Sequence, residues 1–184
     1  AESTAVACLC PSTEGNLGDG FFRLQEYLEH GGAFSIGSDS HVSINPFEEL
    51  RWLEYGQRMR LQQRNVAARC GRSSGESLYL EAMAGGSRSS GLDATGLEVG
   101  GNADLITLDA DMPTLAGHRS DTLLDALVFS GLRSPIASVM VSGNWVVVDG
   151  VHRGAADAAR EKIIAGDLSV VSYYANDTCP ALSF

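Results

Sequence analysis

Two short stretches near the start of the chain are largely apolar, and each is followed by a polar turn and then by a helix-like spacing of apolar residues. The first is residues 5–10 (AVACLC), stopped by Pro11. An unbroken apolar run this short predicts a strand buried on both faces. Residues 11–20 (PSTEGNLGDG) are polar and glycine-rich and read as a loop. Asp19 is the expected N-cap of a helix over 20–30, with Phe21, Leu24 and Leu28 on one face and Gly31-Gly32 ending it. Residues 33–38 (AFSIGS) predict a second buried strand, which ends at Asp39-Ser40-His41.

The clearest helix start follows: Asn45 as N-cap, Pro46 at N1 and Glu48 at N3. Phe47, Leu50, Leu53 and Tyr55 continue an apolar face, and the helix is expected to reach Asn65. A second capping box, Ser73 with Glu76, opens a helix through Leu78, Leu80 and Met83 to Gly85-Gly86. Short buried strands that alternate with helices imply an α/β fold with a parallel sheet and helical crossovers.

After Gly91 the pattern changes. Residues 103–109 (ADLITLD), 138–142 (SVMVS) and 144–149 (NWVVVD) are strand-like, with Ser142-Gly143-Asn144 as a tight hairpin between the last two and a short helix at 121–129. This stretch reads as a small antiparallel unit. A terminal helix is expected at 155–165, and the tail 169–184 carries no interpretable pattern. The organisation expected is therefore 1–91, 92–154 and 155–184.

Composition narrows the function classes. The chain has 184 residues, 13 Lys+Arg against 23 Asp+Glu and a net charge of −10. That charge argues against a nucleic-acid groove or an anionic membrane surface as partner. No apolar run approaches the ~20 residues of a membrane span. The opening Ala1-Glu2-Ser3-Thr4 has neither a basic region nor an initiator Met, which points to a chain cut from a longer one and to a cytoplasmic protein without a signal peptide. Cys8, Cys10, Cys70 and Cys179 show no zinc-ribbon spacing and are expected to be reduced thiols. Cys8 and Cys10 are expected on opposite sides of their strand, where they could not easily share a metal.

The most informative position is Asp39. It lies just past a buried strand, and in parallel α/β folds ligand-binding and catalytic groups collect at the carboxyl ends of the strands. A carboxylate there can ligate a metal, act as a general base, or cap its own turn. The loop 11–20 stands at the equivalent end of the preceding strand, so Ser12, Thr13, Glu14, Asn16 and Asp19 are candidate substrate contacts or helix-capping groups. His41 can ligate, shuttle a proton, bind a carboxylate or stabilise the turn. Arg51 and Trp52 lie off the apolar stripe of the 46–65 helix, a face suited to a neighbouring helix or to a homodimer. No phosphate loop, nucleophile elbow or HExxH motif is present.

Three stretches together resemble the C-terminal part of the amidohydrolase superfamily of metal-dependent hydrolases: residues 10–20 (CPSTEGNLGDG), 31–43 (GGAFSIGSDSHVS), and 97–109 (LEVGGNADLITLD) with 138–150 (SVMVSGNWVVVDG). The first two are similar to the ends of the seventh and eighth strands of a (β/α)8 TIM barrel, the third to the small β-sandwich that follows it. GSDSHVS with EELRWLEYGQR (48–58) is most similar to the deiminases of the superfamily. The resemblance implies the last two barrel strands and helices followed by part of a β-sandwich. It also implies a zinc ion with Asp39 as one ligand and as the general base for a metal-activated hydroxide, a small-molecule substrate, and release of ammonia from a formimino carbon. Glu14, Asn16 and His41 carry over as residues near the site. The His-x-His pair of the family is absent, so the chain by itself is expected to be inactive. The alternatives are a guanine-type ring deaminase of the same superfamily, or a truncated chain that serves only as an interaction module.

Overall fold

A computed structural model describes residues 3–92, 96–131 and 134–154. The terminal helix expected at 155–165, the tail and Cys179 lie outside these residues. The described residues of Ala1–Asn102 and Leu108–Pro135 form one compact unit, and those of Ala103–Thr107 and Ile136–Phe184 a second.

In the first unit, strands β1 (Val6–Leu9) and β2 (Ala33–Ile36) pair in parallel, with Cys8 opposite Ser35 and Leu9 opposite Ile36. The ladder continues past the strand ends, where Gly37 N donates to Leu9 O at 2.9 Å. Four helices connect or follow the strands: α1 (Pro11–Leu17), α2 (Leu24–Glu29), α3 (Pro46–Leu61) and α4 (Ser74–Ser90). The stretch expected as a loop after β1 is thus helical in its first half. Pro11 at N1 supplies the helical φ, Glu14 reaches back to the main chain of Cys10 at 2.8 Å, and Gly18 closes the helix in a left-handed conformation.

Asp19 does not cap α2, which begins at Leu24. The side-chain amide of Gln57 donates to Phe22 O at 2.6 Å and holds the approach outside the helix. Leu24 and Leu28 are buried as the spacing requires, while Phe21 stays 52% exposed. Helix α3 starts as expected, with Asn45 accepting from Phe47 N at 3.0 Å. It stops at Leu61, short of Asn65, because the Glu54 carboxylate takes the amides of Val66 and Ala67, both at 2.9 Å, and turns the chain. Phe47, Leu50 and Leu53 form its buried stripe, and Tyr55 lies at its margin, 39% exposed.

Ser73 caps α4 through Glu76 N as expected, but the helix runs through Gly85-Gly86 to Ser90. Gly85 is the point of closest approach to β2: a Cβ there would overlap the Phe34 carbonyl. A fifth helix, α5 (Leu123–Phe129), falls in the 92–154 segment of the sequence yet packs on α3 and α4, with Ala126, Leu127 and Val128 buried.

The second unit is a four-stranded sheet in the order β3 (Leu105–Leu108), β4 (Ile136–Val141), β5 (Asn144–Val148), β6 (Val151–His152). The hairpin between β4 and β5 is the expected tight one. Ser142 and Gly143 both have positive φ, 49° and 77°, which matches the right-handed strand twist. The short β6 adds an antiparallel strand that no periodicity announces.

Candidate functional site

The carboxyl ends of β1 and β2 carry the candidate residues, and the sequence explains how they are held. The first turn of α1 is bound by two carboxylates. Glu14 takes Cys10 N, and Glu49, brought in from α3 and 2% exposed, accepts from Ser12 N at 2.8 Å and from Ser12 Oγ at 2.5 Å. Negative charge at a helix N-terminus satisfies donors that have no intrahelical partner. Thr13, 2% exposed, then crosses to the turn after β2: its Oγ1 lies 3.0 Å from Ser40 Oγ and accepts from Ser40 N at 3.3 Å. A longer contact from the same hydroxyl reaches Ser38 O at 3.4 Å.

Between Ser38 and Ser40 stands Asp39, exposed and with a positive φ of 38°. The next two amides, which an aspartate ordinarily recruits to its own turn, are already engaged: Ser40 N by Thr13, and His41 N by Ser38 O at 2.8 Å. Among the described residues, no hydrogen bond or ion pair goes to the Asp39 carboxylate. The Asp39 side chain therefore makes no hydrogen bond to the amides of its own turn. His41 is exposed with a φ of 57° and is joined to the turn through its main chain. Glu14 is half-buried and occupied in capping α1; Asn16 and Asp19 are exposed.

Cys8 and Cys10 correct the sequence reading. Residues two apart on a strand point to the same side, and both sulfurs stand over Gly37, where a Cβ would lie 3.1 Å from Cys8 Sγ and 3.2 Å from Cys10 Sγ. Burial pushes the Cys10 thiol up to about 11, and the adjacent Cys8 thiol, the Asp39 carboxylate and Glu14 push it the same way. The thiol is therefore held protonated beside Asp39.

Fitness for a metal can be judged from the donors. Asp39 offers a hard, unpaired carboxylate at the mouth of the strand pair, which suits one ligand position. Among the described residues no group of three or more His, Cys, Asp or Glu side chains is placed to hold an ion. Asp39 thus fits as one member of a set and not as a complete site. Arg51 and Trp52 divide differently: Arg51 Nη1 donates to Gly131 O at 2.7 Å, while Trp52 remains 46% exposed.

Sequence reasoning did not single out Glu49 and Glu54, both buried. Glu54 had a signal: with Gln57 it continues the spacing of Phe47 and Leu50, inside a stripe where a solvated charge does not belong. Among the described residues no helix is long and apolar enough to cross a membrane.

Comparison with known proteins agrees with the sequence motifs. A family model described as "Amidohydrolase family" matches residues 1–146. Formimidoylglutamate deiminase from Pseudomonas aeruginosa is 48% identical over 170 residues, which cover 91% of this chain and 38% of that protein. The crystal structure of an amidohydrolase from Brucella melitensis is similar at 41% identity with a TM-score of 0.80, covering 91% of this chain and 37% of that one. An adenosine deaminase from Xanthomonas campestris, solved with bound zinc, has a TM-score of 0.68 at 19% identity over 88% of this chain and 37% of its own, a likeness of fold alone. The chain spans under two fifths of the length of these relatives. The parallel strand pair and its helices accordingly belong to the mixed α/β, TIM-barrel-type fold of such enzymes. With its family match running over most of the chain and close to half of its residues shared with a deiminase, this chain belongs to the amidohydrolase family.

Proposed function

We propose that the protein carrying this chain is a deiminase that converts N-formimino-L-glutamate and water into N-formyl-L-glutamate and ammonia, and that this chain supplies the last two strands and helices of its barrel and part of a small β-sandwich. The observation that carries the reading is Asp39: a carboxylate at the carboxyl end of β2, held in a left-handed turn by Thr13 and left without a hydrogen-bonding partner, in a chain 48% identical to a formimidoylglutamate deiminase.

Asp39 would be one ligand of a zinc ion, the remaining ligands coming from outside this chain. Bound zinc supplies a Lewis acid and lowers the pKa of water to about 7. The chemistry of this chain centres on one oxygen. A carboxylate oxygen of Asp39 accepts the proton of the attacking water as its oxygen bonds to the formimino carbon. It returns that proton to the formimino nitrogen, then carries the second proton from the same water oxygen to that nitrogen as the formyl C=O forms and the C–N bond breaks, so that the nitrogen leaves as ammonia. The Thr13 bridge keeps that oxygen aimed without competing for it. His41, two residues from Asp39 in the same turn, and Glu14 and Asn16 of α1 would be residues near the site. Glu14 is occupied with Cys10 N, while His41 and Asn16 are exposed and would be the ones to meet a polar substrate. With one donor of the metal set, the isolated chain is expected to be inactive.

The test is ammonia release from N-formimino-L-glutamate by the protein at its full natural length, with guanine as the competing substrate. Asp39→Asn is expected to reduce turnover by on the order of 10²–10⁴-fold or more and to lower the zinc content. Near-normal turnover of Asp39→Asn would remove Asp39 from the mechanism, and preference for guanine would replace the substrate.

A further inference from the structure

The hydrolysis proposed above leaves two thiols without a task. Cys8 and Cys10 leave β1 on the same side and their sulfurs converge over the one residue of the facing strand end, Gly37, that has no side chain to separate them. They are close enough to interact as a thiol pair, and Cys10 also feels the Asp39 carboxylate. All three described cysteines are free. From this geometry we propose that Cys8 and Cys10 form a chelating dithiol site for trivalent organoarsenicals at the mouth of the strand pair, beside Asp39.

The choice of ligand follows from reach and donor number. Residues two apart on a strand have Cα atoms roughly 6.4–6.8 Å apart, at the upper end of the range that a disulfide spans, so direct S–S bonding pulls against the strand. A single arsenic atom inserted between the sulfurs relaxes that demand. Zinc in a closed site needs four ligands, and no third ligating side chain is placed with the pair among the described residues. An arsenic(III) centre that carries one organic group needs only two. The step balances without a redox partner: R–As=O and two thiols give R–As(S–Cys)₂ and one water, the two S–H protons leave with the oxide oxygen, and arsenic stays trivalent. Among the described residues Cys70, on the turn between α3 and α4, offers one thiol and no chelate. The site stands on β1 and Gly37 alone and does not depend on the reaction proposed above.

The experiment treats the full-length protein with one equivalent of phenylarsine oxide, washes with excess glutathione, and reads the adduct by intact mass and peptide mapping. The expected result is one adduct per chain, with the mass of phenylarsine oxide less one water, on the peptide that contains Cys8 and Cys10. It should survive glutathione and be removed by 2,3-dimercaptopropanol. Cys8→Ser and Cys10→Ser should each reduce retention by roughly 10²-fold, because loss of one arm forfeits the effective concentration of the other; Cys70→Ser should leave it unchanged. Retention that persists in either single variant, an adduct mapped elsewhere, or no glutathione-resistant adduct on the native protein would each overturn the proposal. The mapping on the unmodified sequence decides the question even where a variant folds poorly, and a failed ammonia assay leaves it untouched.

Discussion

Strand β2 meets two different kinds of neighbour, and two glycines mark them. Along Phe34 it is covered by α4, which comes so near at Gly85 that the obstacle to any side chain is the main chain itself. At its carboxyl end, Gly37 faces only the sulfurs of Cys8 and Cys10, and the turn beyond it is tied to α1 by a single threonine hydroxyl. The same residue type thus does two jobs. Gly85 lets rigid elements close, whereas Gly37 makes room for the ends of two movable side chains. Packing holds the first region and hydrogen bonds hold the second, which is where a carboxylate can be left exposed and unpaired.

The sharpest way to break this contrast is Gly85→Ala. A helix-interior glycine ordinarily costs roughly 0.5–1 kcal/mol relative to alanine. At Gly85 the new methyl would overlap Phe34, and shifting a helix against a strand costs about 1–3 kcal/mol or more. The variant should therefore be less stable by about 2 kcal/mol or more in urea unfolding. Gly86, one residue on, has nothing within 4 Å of a Cβ. Gly86→Ala should accordingly stabilise by about 0.5–1 kcal/mol. Equal effects at the two sites would show that α4 does not bear on β2 as described.

The contrast also separates what can be read from the sequence from what cannot. Asn45-Pro46, Ser73 with Glu76, and the Ser142-Gly143 hairpin are legible because the residues that make each feature are neighbours in the chain. Helix α1 is not. Its N-cap, Cys10, contributes no capping side chain, and its first turn depends on Glu49, 37 residues away. The start of α2 depends on Gln57 in the same manner. Asp39 could be placed at a strand end from the pattern of residues 33–39 alone. That its carboxylate is free of its own turn could not, since this follows from Thr13 taking the amide of Ser40 across 27 residues. The side-by-side thiols needed only the two-residue repeat of a strand.

Thr13→Val tests the hydrogen-bonded region. Valine keeps the shape and removes the Oγ1 that serves Ser40 N and Ser40 Oγ. Ser40 is exposed and water can replace the lost hydroxyl, so the stability cost should be about 0.5–1.5 kcal/mol. If the hydroxyl positions Asp39, kcat for ammonia release by the full-length protein should fall on the order of 10–10²-fold with KM little changed, since small misplacements of a reacting group are costly. Thr13→Ser should restore it. A loss of stability with kcat intact would make the bridge structural only.

Gly37→Ala is the counterpart of Gly85→Ala. Its neighbours are the ends of two side chains, and its φ lies outside the left-handed region, so the sulfurs can swing away. The stability change should stay within about 1 kcal/mol, below that of Gly85→Ala, while the parted thiols lose their glutathione-resistant arsenical. A cost equal to that at Gly85 would mean that the two thiols are held as rigidly as the packed side.

The smallest effect belongs to a pair remote from both regions. Arg60 of α3 holds Glu26 of α2 through Nη2–Oε2 at 2.9 Å and Nη1–Oε1 at 3.3 Å, and these hydrogen bonds, with help from Arg23, lower the Glu26 carboxyl from 4.5 to about 2. A carboxyl whose folded pKa lies below its unfolded one stabilises the fold fully above the unfolded value and loses that contribution as pH falls through the folded one. Glu26→Gln should therefore be slightly less stable than the native chain at neutral pH, with the difference shrinking between pH 4.5 and about 2 and gone below it. Because the pair is only half-buried and open to solvent ions, added salt should shrink the difference too. A difference that persists unchanged at pH 2 would place the interaction in packing between α2 and α3 instead of in charge, and would bring this surface under the same rule as Gly85.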